Sequence, residues 1–348
     1  MVNAQPLMDL TAILHAAQQH YASDVHIDAA HNQVFIRSAG RLKSLEGINI
    51  APSALSEWLL SRLTPIQRTS YEARQQFDFA HSEPSLSLYT RVTVYFNQSG
   101  LSIAIRLLPS NIATLEALGA PSFLSKLSPF QHGLVLITGS TGSGKSTTLS
   151  SYLSHINQHY AAHVVTLEDP IEYQHRHQKC LFHQYQKHVH FDDYATALHN
   201  SLRLDPDVIV VGELRDLNSI EMALRAAETG HLVLATLHST NAVTAITRII
   251  DVFNDADKSF IRHVLGSVLV GVIAQRLVKS TTKEGRVAVF ETLIANTAVK
   301  NMIFEQKESQ LNNLIQTHAQ AGMFTFAQHY QKLLDTEHVN EPMPQWAS

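Results

Sequence analysis

Gly139-Ser140-Thr141-Gly142-Ser143-Gly144-Lys145-Ser146 fits the pattern G-x-x-x-x-G-K-[ST]. An apolar run over 134–138 precedes it and a helical pattern over 144–160 follows, so the loop joins a strand to a helix. Glycines let backbone N–H groups turn inward around phosphate oxygens, and the helix N-terminus adds the positive end of its dipole. Lys145 is suited to neutralise the β- and γ-phosphates, Ser146 to ligate Mg²⁺, and Thr147 to continue the cradle. The segment predicts a binding site for a nucleoside triphosphate.

Outward from this loop, short β-branched runs alternate with helical patterns. Strands are expected at 134–138, 163–167, 208–211 and 232–237, and helices at 144–160, 194–202 and 219–229. That order is the signature of a parallel sheet covered on both faces. Helical patterns at 242–253 and 258–271, strands at 272–278 and 287–293, and a helical tail to about residue 334 complete this half.

Open α/β sheets bind ligands at the carboxyl edge of their strands. Three of the other expected strands end in Glu168-Asp169, in Gly212-Glu213 and in His238. Strands buried on both faces have no structural use for an acid at the tip beyond capping the next helix. A phosphate anhydride needs a water aimed at the γ-phosphorus and a group that orients it, which a carboxylate can supply. We assign Glu213 to the magnesium shell and Glu168 to the attacking water, with the exchange of these roles left open. His238 is placed to sense the γ-phosphate or to cap the next element.

The first ~108 residues alternate differently. Leu7, Leu10, Ile13, Leu14 and Ala17 recur at helical spacing, alternation follows at Val25, Ile27, Val34 and Ile36, and a second helix is expected over 55–68 with Ser53 as its N-cap. Segments 86–96 and 101–108 flank Asn97-Gln98-Ser99-Gly100, and a turn centred there sets Arg91 opposite Arg106. In that register Val92, Val94 and Phe96 share one face with Ile105, Ile103 and Leu101. Like charges directly opposed on a sheet are destabilising, so the pair suggests an anion between them; the triphosphate of a neighbouring subunit is the best candidate. That arrangement is an arginine-finger pair and implies a ring.

The expected organisation is therefore a small α+β domain over 1–108, a linker at 109–121 bracketed by Pro109 and Pro121, an α/β nucleotide-binding domain with C-terminal helices over 122–335, and a frayed tail at 336–348. At 348 residues the chain has length for two cores. Apolar residues make up 45% and charged residues 16%, which excludes a disordered chain. The net charge of −4 provides no general basic field for nucleic acid. One cysteine, Cys180, excludes an intramolecular disulfide and Cys-rich zinc sites and fits a reducing compartment. The longest apolar run, 264–274, is too short to span a bilayer, so a cytoplasmic protein without direct membrane insertion is expected.

These residues resemble the secretion ATPases of type IV pili and type II secretion, most closely the retraction branch of PilT-like twitching motility ATPases. The resemblance rests on Ser23-Asp24-Val25-His26-Ile27, Arg91 and Arg106, the phosphate loop, Thr166-Leu167-Glu168-Asp169-Pro170-Ile171-Glu172-Tyr173, Leu202-Arg203-Leu204-Asp205-Pro206-Asp207, Gly212-Glu213-Leu214-Arg215-Asp216, Thr229-Gly230-His231 and Thr236-Leu237-His238. Gln275-Arg276-Leu277 is similar to a further nucleotide-contacting segment, which implies a role for Arg276. The resemblance implies a PAS-like first domain, a RecA-like P-loop NTPase second domain, a homohexamer with ATP and Mg²⁺ at subunit interfaces, and force delivered to an inner-membrane pilus platform protein. Where retraction enzymes read roughly A-I-R-N-L-I-R-E, this chain has Ala298-Val299-Lys300-Asn301-Met302-Ile303-Phe304-Glu305, and Tyr185 and His199 stand where Arg is frequent. The alternatives are an ATP-binding assembly or regulatory paralogue with weak hydrolysis, and a nucleic-acid translocase.

Overall fold

Alternation in the first hundred residues and continuous apolar runs in the remainder produce two different sheets. The computed structural model describes residues 10–38, 40–47, 50–86, 88–108, 112–282 and 285–346. Leu7, Pro109 and the last two residues of the tail lie outside these. The chain divides into one unit of Met1–Asn111 with Pro170–Gln174 and another of Ile112–Asp169 with His175–Ser348.

Strands β1 (Ala22–Asp28), β2 (Gln33–Ser38), β3 (Arg41–Ser44), β4 (Phe77–Glu83), β5 (Leu88–Asn97) and β6 (Gly100–Leu108) form the first sheet among the described residues, in the order β3-β2-β1-β6-β5-β4. Every pairing is antiparallel. Val25, Ile27, Val92, Val94, Ile103 and Ile105 are buried in one core with Leu10, Ile13, Leu14 and Ala17 of the helix Leu10–Gln19. The hairpin has the expected register, Arg91 opposite Arg106 and Asn97 opposite Gly100. Asn97 Oδ1 accepts from the amides of Ser99 and Gly100, closing the turn.

The expected helix over 55–68 is two helices, Pro52–Leu60 and Pro65–Glu72. Proline at 65 excludes Thr64 from the helical region, and Thr64 instead caps the second helix in a reciprocal box with Gln67. Ser53 is not the first helix's cap; Ala51 holds that place with Pro52 next. Strands β3 and β4 have no counterpart in the sequence reading.

The second sheet contains β7 (Gly133–Thr138), β8 (His163–Glu168), β9 (Leu181–Gln186), β10 (Val208–Val211), β11 (Leu232–Leu237), β12 (Leu269–Lys279) and β13 (Arg286–Ile294). Their order is β13-β12-β7-β11-β10-β8-β9, parallel except for the β12–β13 pair. Successive residues of β7 serve opposite cores: Leu134 and Leu136 meet the helices Leu217–Glu228, Ala242–Asp251 and Asp255–Val268, while Val135 and Ile137 meet the helix Lys145–His159. Burial of one such side chain contributes about 1.5–3 kcal/mol, which fixes the register and hence the position of each strand tip. No helix among the described residues is long and apolar enough to cross a membrane.

Two expected boundaries differ. Residues 112–121 are part of the second unit: Leu115 is buried in its core and Ser151 Oγ donates to the Ala113 carbonyl at 2.6 Å. The tail also packs, as far as residue 346. Val339 is buried, the Tyr330 hydroxyl donates to the Glu341 carbonyl at 3.0 Å, and Trp346 meets Phe326 and Tyr330 edge to face. Three apolar residues among polar neighbours, Val339, Met343 and Trp346, pack in one cluster with the helix Phe326–Asp335.

Candidate active site

Register places the chemistry at one rim. Leu167 of β8 lies beside Val211 of β10, Val211 beside Ala235 of β11, and Leu237 beside Thr138 of β7, so Glu168, Glu213, His238 and Gly139 all leave the same edge. The phosphate loop follows β7, and Gly144 at φ 90° precedes the helix Lys145–His159. Gly139 has φ 153°, and a Cβ there would collide with the Gln275 carbonyl and Ser143 Oγ. Gln275 of β12 is buried beside the loop, and its Oε1 accepts from Thr148 Oγ1 of the following helix at 2.7 Å. Lys145 Nζ donates to the carbonyls of Gly139 and Ser140 at 2.8 and 3.0 Å. Ser143 Oγ is buried at the loop with no hydrogen-bond partner among the described residues.

Both acids are held by named partners. Glu168 Oε1 accepts from Thr166 Oγ1 at 2.6 Å and from Gln184 Nε2 of β9 at 3.1 Å. Glu213 lies between the Arg215 guanidinium at 2.7 Å and His238 Nε2 at 3.2 Å. The hydrogen bond to Glu213 raises the Arg215 pKa still further. Buried Tyr194 adjoins this region; burial, then Asp169, Glu168 and Glu213, push its phenol pKa upward despite the opposing effect of Arg215.

In the first unit the two arginines form the centre of a row across four strands. Arg106 pairs with Asp24 of β1 at 3.0 Å and Arg91 with Asp78 of β4 at 2.6 Å. Opposed like charges on a sheet call for an anion between them only where they are uncompensated. The structure removes that premise, because each guanidinium has its own carboxylate.

This chemistry can be set against known proteins. The family model described as "Type II/IV secretion system protein" matches residues 3–339. The chain is 43% identical to "Uncharacterized protein YggR" of Escherichia coli, over 93% of this chain and 98% of that one. It is 38% identical to "Type IV pilus retractation ATPase PilT" of Pseudomonas aeruginosa, over 91% and 92% of the two chains. The crystal structure of the pilus retraction motor PilT with bound ADP superimposes with a TM-score of 0.87 at 36% identity, covering 97% of this chain and 98% of that chain. The chain belongs to the type II/IV secretion ATPase family.

Several residues around this ATPase's loop have no assigned role in the sequence reading. Arg215 was visible in Gly212-Glu213-Leu214-Arg215-Asp216, yet its pairing with Glu213 depends on side-chain direction. Gln184 comes from β9, an edge strand whose polar alternation gives no strong strand signal. Gln275 lies in the segment Gln275-Arg276-Leu277 marked by resemblance, but its place beside the loop follows from β12 neighbouring β7. Arg276, singled out by resemblance, lies over the rings of Phe326 and Trp346, with its guanidinium 5.4 and 4.6 Å from their centroids. Burial depresses its pKa, against the attraction of Glu291.

Proposed function

We propose that this secretion ATPase is the ATP-hydrolysing motor of a homohexameric ring that powers type IV pilus retraction, with a PAS-like first unit and a RecA-like second unit. The observation that carries the reading is the single rim where Gly139, Lys145, Glu168 and Glu213 lie at or beyond the ends of β7, β8 and β10, parallel strands of one sheet. The ring would act at the cytoplasmic face of the inner membrane, peripheral to it through a pilus platform protein. This destination rests on likeness to the pilus retraction motor.

In this reading the loop amides and Lys145 bind the β- and γ-phosphates, and Ser143 Oγ, now without a partner, has a phosphate oxygen to meet. Ser146 and Glu213 are oxygen donors of the kind Mg²⁺ takes beside phosphates. Among the described residues no group of three or more His, Cys, Asp or Glu could hold a metal, so phosphates and water would complete its coordination. Ser146 and Glu213 would hold the ion, which would supply positive charge against the phosphates. Glu168, fixed by Thr166 and Gln184, orients the attacking water and accepts its proton; Glu213 could exchange places with it. His238 couples the Glu213 carboxylate to the end of β11. Arg91 and Arg106 would act on the nucleotide of a neighbouring subunit, leaving Asp78 and Asp24 to do so.

Deleting the gene and restoring either the wild type or Glu168→Ala tests the reading. Excess surface filaments without twitching, corrected only by the wild type, are expected. Missing filaments would indicate an assembly motor. Normal motility with Glu168→Ala, despite negligible turnover, would favour the regulatory alternative that Tyr185, His199 and Phe304 raise.

A further inference from the structure

The tail was expected to fray, yet its Trp346 lies beside the phosphate loop. A cavity of about 290 Å³ is lined by Ser140, Gly142 and Ser143 of the loop, by Arg276 and Arg286, and by Trp346. Its size is at the small end of the ~300–1,000 Å³ range of ligand sites, which suits one end of a nucleotide rather than all of it.

Topology says which end. The strand after which the loop begins, β7, has β11, β10 and β8 on one side and β12 on the other. The acids leave the tips of β8 and β10, so the γ-phosphate points that way and the base points toward β12. Arg276 belongs to β12 and Arg286 to β13, placing this cavity on the base side.

We propose that Trp346, with Arg276 stacked on it, is the wall on which the nucleobase docks, so that the C-terminal segment completes the ATP site of its own subunit. This rests on the reading of the loop as a nucleotide site and adds to it the recognition of the base. The wall is built: the Arg276 guanidinium lies 4.6 Å from the indole centroid and 5.4 Å from that of Phe326. The indole is braced edge to face by Phe326 and Tyr330 at 5.7 and 6.3 Å. The segment leading to it is fastened by the Thr281 amide to the His338 carbonyl at 3.0 Å and by the Tyr330 hydroxyl to Glu341. Aromatic faces and guanidinium planes are what bases stack on, and the contact tolerates any base because each has a π-face.

The chain has two tryptophans, Trp58 and Trp346, and Trp58 lies in the first unit. A full-length Trp58→Phe protein therefore reports Trp346 fluorescence alone. ADP should change this emission saturably, whereas tripolyphosphate, which has no base, should not. By calorimetry, Trp346→Ala should weaken ADP binding about 10-fold, within the range of base–aromatic stacking, while tripolyphosphate binding is unchanged; Trp346→Phe should retain most ADP affinity. Equal ADP affinity with and without the indole, or an equal loss for both ligands, overturns the proposal while leaving the loop reading standing. Failure of the wild-type protein to bind either ligand, or undiminished tripolyphosphate binding in Lys145→Ala, overturns both.

Discussion

The two sheets of this ATPase place their charged residues by opposite rules. In the second sheet the central strands β7, β8, β10 and β11, buried on both faces, carry no Asp, Glu, Lys or Arg before their last residue, so their acids occur at the tips, where β8 ends in Glu168 and β10 is followed by Gly212-Glu213. In the antiparallel sheet one face of each strand is free for polar side chains, and Asp24, Arg106, Arg91 and Asp78 sit there as a paired row. A charge at a buried strand's tip has few structural reasons to exist. A charge on an open sheet face has many, and here each arginine has a carboxylate that accounts for it. The geometry thus supports the catalytic rim more directly than the finger pair.

The largest expected effects separate the rim from ordinary structure. Glu168→Gln and Glu213→Gln should each lower ATP turnover about 10²–10⁴-fold, the range for loss of a positioned acid–base group, without lowering the melting temperature. Gly139→Ala should weaken nucleotide binding as well, because its Cβ collides with the Gln275 carbonyl and φ 153° is strained for any side chain. Turnover within threefold of wild type for both glutamine variants would remove the rim from catalysis.

The arginines are the next test. If they reach a neighbour's nucleotide, Arg91→Ala and Arg106→Ala should reduce turnover of the assembled protein roughly 10–10³-fold, less than the gain of 10³–10⁵ ascribed to fully committed fingers, because each would lose only one of two. Mixing inactive Lys145→Ala subunits with inactive Arg91→Ala subunits should restore part of the activity, since some interfaces then combine an intact loop with an intact arginine. No recovery on mixing, together with unaltered turnover of Arg91→Ala alone, would make the row a purely structural feature.

What could be read from the sequence follows the same division. The phosphate loop, the parallel strands and the acids at their tips were legible because local pattern and chemistry coincide there. The Arg91–Arg106 register was legible too, since Asn97-Gln98-Ser99-Gly100 fixes it. Its energetic meaning was not: Asp78 comes from β4, which carries Phe77 and Phe79 amid polar residues and gives a weak strand signal. The tail was misread for a related reason. Val339, Met343 and Trp346 are isolated apolar residues in a polar segment, and only the surface waiting on Phe326–Asp335 shows what they pack against.

Acid should act on the second unit in a defined window. His329 Nδ1 accepts from the Phe290 amide at 3.1 Å and its ring stacks on Phe324, so burial lowers its pKa to about 4, with Lys332 assisting. Burial also lowers His175 to about 4, beside Phe182. In the unfolded chain both return to ~6.5, so between these values the unfolded state binds more protons and stability falls as pH falls from ~6.5 to ~4. Each contributes about 2 kcal/mol across that window after allowance for partial exposure. His329→Gln, whose amide can still accept from Phe290, should flatten part of the slope in chemical denaturation followed between pH 7 and 4. An unchanged slope would mean the imidazole is protonated in the folded protein.

The smallest effect bears on the row itself. Asp78 and Arg91 are about a third exposed, where an ion pair contributes about 0–1 kcal/mol, and Asp24 with the more exposed Arg106 should contribute no more. A double-mutant cycle with Asp78→Ala and Arg91→Ala, read in unfolding free energy and again in ATP turnover, separates two roles for the same guanidinium. A coupling below about 1 kcal/mol in stability combined with a large loss of turnover from Arg91→Ala alone means that Asp78 parks the arginine and the nucleotide recruits it. Removing Asp78 should then leave turnover intact or raise it, since the arginine no longer has to exchange one anion for another. If Asp78→Ala instead lowers turnover as much as Arg91→Ala, the carboxylate is aiming the arginine, and the pair acts as a unit.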